Sequence, residues 1–233
     1  MEHANKRFNH AEELLLKQMK GSKLLTIDAV LAAPPDNSWN TVRLHFEGFD
    51  IDVNNFLNNI VVDEFGTLEE FGLLSVVESS EEMLSIPEVG ADTTTFEVNE
   101  TIVAVTVVND VADIYGEGSL VAKLEYPQAI ALHTDSGIIM LDKEVWFSEM
   151  IVLKNGERIE NLLYDESVNW EDDPDEDPST HFEFRTEIQS LWFSRSAPCW
   201  DKLSQQRVIS TFSRLATSHL HLFQTNTSDG LLR

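Results

Sequence analysis

Cysteine is almost missing from this chain: Cys199 stands alone among 233 residues. A single thiol excludes an intramolecular disulfide and a structural zinc site of several thiolates, and at this length neither staple is needed to hold a core. Its neighbours are Pro198 and Trp200, with no cationic cluster in sequence to lower its pKa, so it reads as an inert thiol and not a nucleophile. Long apolar runs are absent too. None approaches the roughly 20 residues of a membrane-spanning helix, and Leu14 to Leu16 is too short for the apolar core of a secretory signal. The expectation is a cytoplasmic protein without membrane contact.

Positive charge is the next scarcity. Lys and Arg number 16 against 41 Asp and Glu, a formal net charge of −25. The imbalance is concentrated: residues 25 to 194 hold 36 of the acids and six of the basic residues, −30 in all, while both ends are slightly basic. Such a body repels nucleic acid and anionic membrane surfaces at long range and attracts basic proteins and cations. Aromatic residues run through the same stretch, among them Phe46, Phe49, Phe56, Phe65, Trp146, Phe147 and Trp170. A disordered acidic tail is poor in such residues, so this is a folded domain with an acidic surface.

The catalytic signatures that spacing alone reveals are also lacking. There is no G-x-S-x-G elbow, Walker-type phosphate loop or H-E-x-x-H pair. Gly116-Glu117-Gly118 is too short for a dinucleotide fingerprint, and its acid would repel a pyrophosphate.

What the chain does carry is strand-like alternation between turn signals. Residues 9 to 20 are the exception and read as a helix, with Asn9 as cap, Glu12 and Glu13 at the positive end, Lys17 and Lys20 at the negative end and Gly21 as the stop. Leu24 to Ala33 is apolar and β-capable up to the turn at Pro34-Pro35-Asp36-Asn37. Val42, Leu44 and Phe46 share one strand face; after a bend at Gly48, Phe49, Ile51 and Val53 alternate with Asp50, Asp52 and Asn54. Residues 54 to 87 are mixed, and Thr67 with Glu70 has the spacing of a helical capping box. Short β-rich runs then follow from Phe96 to Leu153. His133-Thr134-Asp135-Ser136-Gly137 gives the best hairpin signal, and Asn155-Gly156 predicts a second hairpin returning through Arg158 to Leu163. Phe182 to Ser190 alternates as a strand, while Asp201 opens a helical pattern reaching about Ala216. Together these predict a single α+β domain over residues 1–233, with a division into 1–90 and 91–233 as the alternative: an antiparallel β-sheet of roughly six strands centred on residues 94–165, with N-terminal and C-terminal helices packed against it.

Three clusters carry chemistry. The loop Trp170 to His181 holds Glu171, Asp172, Asp173, Asp175, Glu176 and Asp177. Read as a calcium loop from Asp173 it fails, since Pro178 stands where glycine is required and Phe184 where a bidentate glutamate is required. As a docking loop it is better suited, because Pro174 and Pro178 limit the entropy lost on binding. Asp50 and Asp52 project from one strand face, a pattern that suits a metal or an acid–base pair but that any exposed strand also produces. His219 and His221 have the spacing of a two-histidine chelate without an evident third ligand.

The functional expectation therefore rests on the surface: an acidic cytoplasmic protein that neutralises a basic protein partner, such as an immunity protein or inhibitor of a nuclease-type toxin, without enzymatic activity or cofactor. Its partner-binding residues would be Trp146, Phe147 and Trp170 as aromatic anchors with Glu171, Asp172, Asp173, Asp175, Glu176 and Asp177 around them. Two alternatives stand beside it: a DNA mimic inhibiting a host-defence protein, and a metal-dependent hydrolase using Asp50 and Asp52.

Overall fold

Period-two alternation governs most of the chain, and the computed structural model is accordingly built almost wholly from strands. It describes residues 2–31, 37–62, 66–80, 93–145, 148–163 and 180–191. In chain order the elements are β1 (Glu2–Asn5), α1 (His10–Met19), β2 (Lys23–Leu31), β3 (Asn37–Phe46), β4 (Phe49–Val62), β5 (Gly66–Glu78) and β6 (Thr93–Thr101). They continue with β7 (Ala104–Gly116), β8 (Ser119–His133), β9 (Ile138–Lys143), β10 (Met150–Gly156), a short 3-10 turn at Ile159–Asn161 and β11 (Thr180–Leu191).

Hydrogen bonding runs without a break in the order β11-β7-β8-β9-β10-β3-β2-β6, with β4 on β3, β5 on β4 and β1 on β8. Every pairing is antiparallel except that of β1 with β8. The network divides because two strands share their edges. β4 takes residues 41–46 of β3 while β10 takes residues 37–39, and β1 and β9 likewise divide β8. Two layers result, β11-β7-β8-β9-β10 and β6-β2-β3-β4-β5. The inward faces meet in one apolar core: Ile27, Val42, Leu44, Ile51, Val53 and Val76 from one layer pack against Val105, Val107, Ile130, Leu132, Leu141 and Ile151 from the other. Burial at this scale is what holds two sheets face to face.

Helix α1 closes the side of that core with Leu16 and Met19, both fully buried. Its start follows the sequence reading. Asn9 accepts hydrogen bonds from the amides of Ala11 and Glu12, and Glu12 reaches back to the Asn9 amide, a complete capping box. The β3–β4 hairpin also forms as read, turning at Glu47-Gly48 with Gly48 at φ 99° and Phe46 stacked on Phe49 at 4.8 Å. The turn at 134–137 joins β8 to β9 as the hairpin signal predicts.

The α+β expectation is overturned. Among the described residues α1 is the single α-helix, and the remainder is mainly antiparallel β-structure reaching well outside residues 94–165. The capping-box spacing at Thr67 and Glu70 lies inside β5, which pairs with β4 over eleven registered positions to form a long hairpin. Val76 and Leu74 turn into the core, and Gly72, a poor helix residue, lets the backbone of β5 approach Ser148. The chain after Asn155-Gly156 does not return as a strand but forms the 3-10 turn, placing Ile159 over the outer face of β8 and β9. The helix expected from Asp201 lies outside the described residues, as do Cys199, His219 and His221.

Candidate functional site

None of the nine residues expected to bind a partner falls within the described part of the chain: Trp146, Phe147, Trp170, Glu171, Asp172, Asp173, Asp175, Glu176 and Asp177 all lie outside it. The charge pattern that motivated them is nevertheless visible in the sheets. Each of the six basic side chains between residues 25 and 194 is already committed within the fold. Arg43 clasps Asp52 with Nε at 2.7 Å and Nη2 at 2.9 Å. Lys123 meets Glu125 at 2.6 Å, Lys154 pairs with Asp142, Arg185 with Asp113, and Arg158 with Glu160 at 3.5 Å. The sixth, Lys143, is buried over the rings of Tyr126 and Phe71, 4.1 and 4.6 Å from their centroids, and donates to the Gly72 carbonyl.

One of these commitments, that of Arg43, and a histidine cluster beside it lie on the outer face of the β2-β3-β4 layer. Asp52, wholly buried, also accepts from Ser79 Oγ at 2.7 Å, and Arg43 donates onward to the Ser80 carbonyl. One residue pair along, His45 sits between two carboxylates, Nε2 2.9 Å from Asp28 and Nδ1 3.0 Å from Asp50. Asp28 in turn accepts from Thr95 of β6. Burial disfavours the charged imidazole, but the hydrogen bond to Asp28 and the charge of Asp50 outweigh it and raise the His45 pKa above its ordinary value. Burial likewise opposes ionisation of Asp28, and its bonds from Thr95 and His45 bring the carboxyl below the usual range. Asp50 and Asp52 do share one face, as the alternation implies, yet each is held by a basic side chain of the same sheet. Among the described residues no group of three or more His, Cys, Asp or Glu is placed to hold a metal.

His45 also marks one end of the two-layer body, where the β3–β4 and β8–β9 turns, the end of β5 and the end of β6 come together. Glu47, Asp50, Glu78, Glu97 and Asp135 stand exposed there. Glu100 accepts from Ser136 Oγ, which joins β6 to the β8–β9 turn and draws the carboxyl below its usual pKa. Lys20 and Lys23 are the basic residues of the same end. The acids on this end come from four separate segments, so only the strand pairing, and no spacing in sequence, brings them together.

A second charged assembly ties the N-terminal segment to the other layer. Glu125 of β8 is contacted by His3, Arg7 and Lys123, and Arg7 spans to Glu187 of β11 at 2.5 Å. Burial alone would raise the Glu125 pKa; the hydrogen bond from Lys123 and the charge of Arg7 instead hold it at about 2. No family model, no curated protein and no solved structure matches the chain. No helix among the described residues is long and apolar enough to cross a membrane.

Proposed function

We propose that this chain is a binding protein that docks and neutralises a basic protein, through the acidic end centred on the β3–β4 hairpin. One observation carries the reading: among the described residues Glu47, Asp50, Glu78, Glu97 and Asp135 stand exposed at one end of the body, while each of the six basic side chains within residues 25–194 already has a partner in the fold. Uncompensated charge of one sign accelerates encounter with a partner of the other sign and disfavours nucleic acid. An antiparallel body with rigid strand ends holds these acids at fixed spacing, which spares the ordering entropy of a flexible tail. Inhibition of a cationic enzyme, as by an immunity protein against a nuclease-type toxin, is the activity that uses such a surface most directly. A cytoplasmic setting suits the single cysteine. The loop 171–177 and the aromatic residues Trp146, Phe147 and Trp170 belong to the same proposal as further contacts.

The test is retention of a partner from the source organism on the immobilised chain at low salt, with identification of what elutes as salt rises. A basic protein recovered in stoichiometric amount, and lost when Glu47, Glu97 and Asp135 are changed to Lys, supports the reading. Retention unchanged by that triple variant, or by salt raised to about 0.5 M where screening is strong, would refute it.

A further inference from the structure

An exposed strand edge is a row of free amides and carbonyls, and most folds blunt it. On β5 this is done by α1, whose Glu12 Oε1 accepts from the Val76 amide at 3.3 Å. On β11, which ends the hydrogen-bonded order on one side, Arg185 and Glu187 are matched by Asp113 and Arg7. β6 ends the order on the other side and has neither protection. Among the described residues it pairs with β2 alone, from Lys23 opposite Thr101 to Val30 opposite Thr93, and a register shift near Leu24 leaves Thr93 to Glu97 as its regular stretch. All of its residues are exposed or half-buried. Its sequence, TTTFEVNET, has the β-branched and aromatic residues that suit a strand and lacks the Lys and Pro that commonly guard an edge. The two faces of β6 differ. Phe96 stands opposite the core residue Ile27 and, with Val98, which packs on the same core, marks the inner face. Phe96 is nonetheless 37% exposed, because among the described residues no strand continues the layer beyond it. Thr95 stands opposite Asp28 and donates to it at 2.7 Å, which places Thr93, Thr95 and Glu97 on the outer face with Asp28, His45 and Asp50.

We infer that the β6 edge receives an extended segment of the basic partner, which adds a strand to the β6-β2-β3-β4-β5 layer through backbone hydrogen bonds. This rests on the reading of the acidic end as a docking surface for a basic protein, and it names how that surface engages its partner. Alternate residues along Thr93 to Glu97 turn their N–H and C=O groups away from β2, and a strand laid beside them completes the ladder. The two faces then dictate the side chains of that strand. A residue set beside Glu97 lies about 5 Å from it, so Lys or Arg fits there, with the carboxylates of Asp28 and Asp50 on the same face adding to the attraction. Its neighbours on the inner face cover Phe96 and Val98 and are therefore apolar. The fitting segment alternates basic and apolar residues. The same acids decide against a second copy of this chain as the occupant, because pairing β6 with itself brings the Glu97 and Glu100 side chains of two copies to one seam.

The experiment measures amide hydrogen exchange in isotope-labelled full-length protein, alone and with a short acetylated and amidated peptide alternating Lys and Val. Two companion peptides accompany it: the same sequence with every backbone nitrogen methylated, which cannot donate to a strand edge, and a version with Glu in place of Lys. In the free protein, alternate amides of Thr93 to Glu97 should exchange quickly while those bonded to β2 exchange slowly. The Lys–Val peptide should slow the quick set at least about tenfold and saturate with a Kd of about 1 mM or tighter, and each companion should bind at least about tenfold more weakly. Glu97 is exposed, so Glu97→Lys should leave the fold intact and weaken the Lys–Val peptide about fivefold at low salt. The inference is overturned if that peptide fails to bind at about 10 mM, if either companion binds as well, or if binding leaves β6 exchange unchanged. It is equally overturned if every amide of Thr93 to Glu97 is already slow in the free protein, the edge then being covered by another part of the chain or by a second copy. A basic partner retained at the acidic end without slowing β6 exchange also overturns it and leaves the docking reading intact, since that reading falls on its own retention test.

Discussion

Two acids two residues apart give the sharpest check on the sheet architecture. Asp50 and Asp52 have the same sequence signature, but the side chain of Asp52 is 0% exposed and that of Asp50 43%. Changing Asp52 to Ala strands the Arg43 guanidinium, itself 11% exposed, without its two short carboxylate bonds, and it also frees Ser79 Oγ. Breaking one side of a buried pair costs about 3–5 kcal/mol. For a protein of this size that is a fall of about 6–20 °C in melting temperature. Asp50→Ala removes only a partly exposed contact to His45 and should cost about 0–1 kcal/mol. Replacing Arg43 and Asp52 together by Leu removes both charges, so the double variant should lose less than Asp52→Ala alone. Urea unfolding followed by circular dichroism measures all three, with an unchanged slope confirming that the same surface is exposed. Equal losses for Asp50→Ala and Asp52→Ala would refute the reasoning, because both acids would then be ordinary solvated residues of an exposed strand.

Other perturbations probe separate parts of the fold. Asn9→Ala removes the cap of α1 and half of its capping box and should cost about 1 kcal/mol in chemical denaturation. Gly72→Ala places a Cβ against the Ser148 carbonyl and 2.9 Å from Asn55 Oδ1, so a loss of about 1–3 kcal/mol or more should appear, exceeding that of Gly118→Ala, where nothing lies in the way. Gly118 has φ +74°, so the second change carries backbone strain alone. Glu125 has its folded pKa held at about 2 from an ordinary 4.5. Its contribution is therefore present above pH about 4.5 and lost as pH falls towards 2, and Glu125→Gln should flatten the acid limb of the stability curve in that window. His45 is raised and His133 lowered by its burial, so proton titration by NMR should order them on opposite sides of 6.5. The stabilisation from His45 is full below 6.5 and disappears as pH rises through its folded value, while that from His133 is present above 6.5 and disappears as pH falls through its own.

Alternation is a local signal, and it located β2, β3, β4 and the β8–β9 hairpin because each side chain there needs only its own face to be read. Pairing is not local. Asn54 to Val62 and Gly66 to Glu78 offer apolar residues at helical as well as strand spacing, and only their ladder with each other settles the matter in favour of β-structure. The same limit hides the His45 cluster. Asp50 is close in sequence, but Asp28 and Thr95 reach it through the registers of β3 with β2 and β2 with β6. Asn109 was lost for a different reason. A polar residue after Thr101 to Val108 reads as the end of a strand, yet β7 runs on to Gly116 past a bulge at Gln128 of β8, with Asn109 buried beside it. That bulge shifts the register between Val108 and Asn109 and carries β7 from the apolar core into the ion pairs of Asp113, Glu125 and Arg185. The place where local reading stops short is thus the place where the ladder departs from ideal pairing, because the extra residue sits in the partner strand and leaves no mark on the spacing of β7 itself.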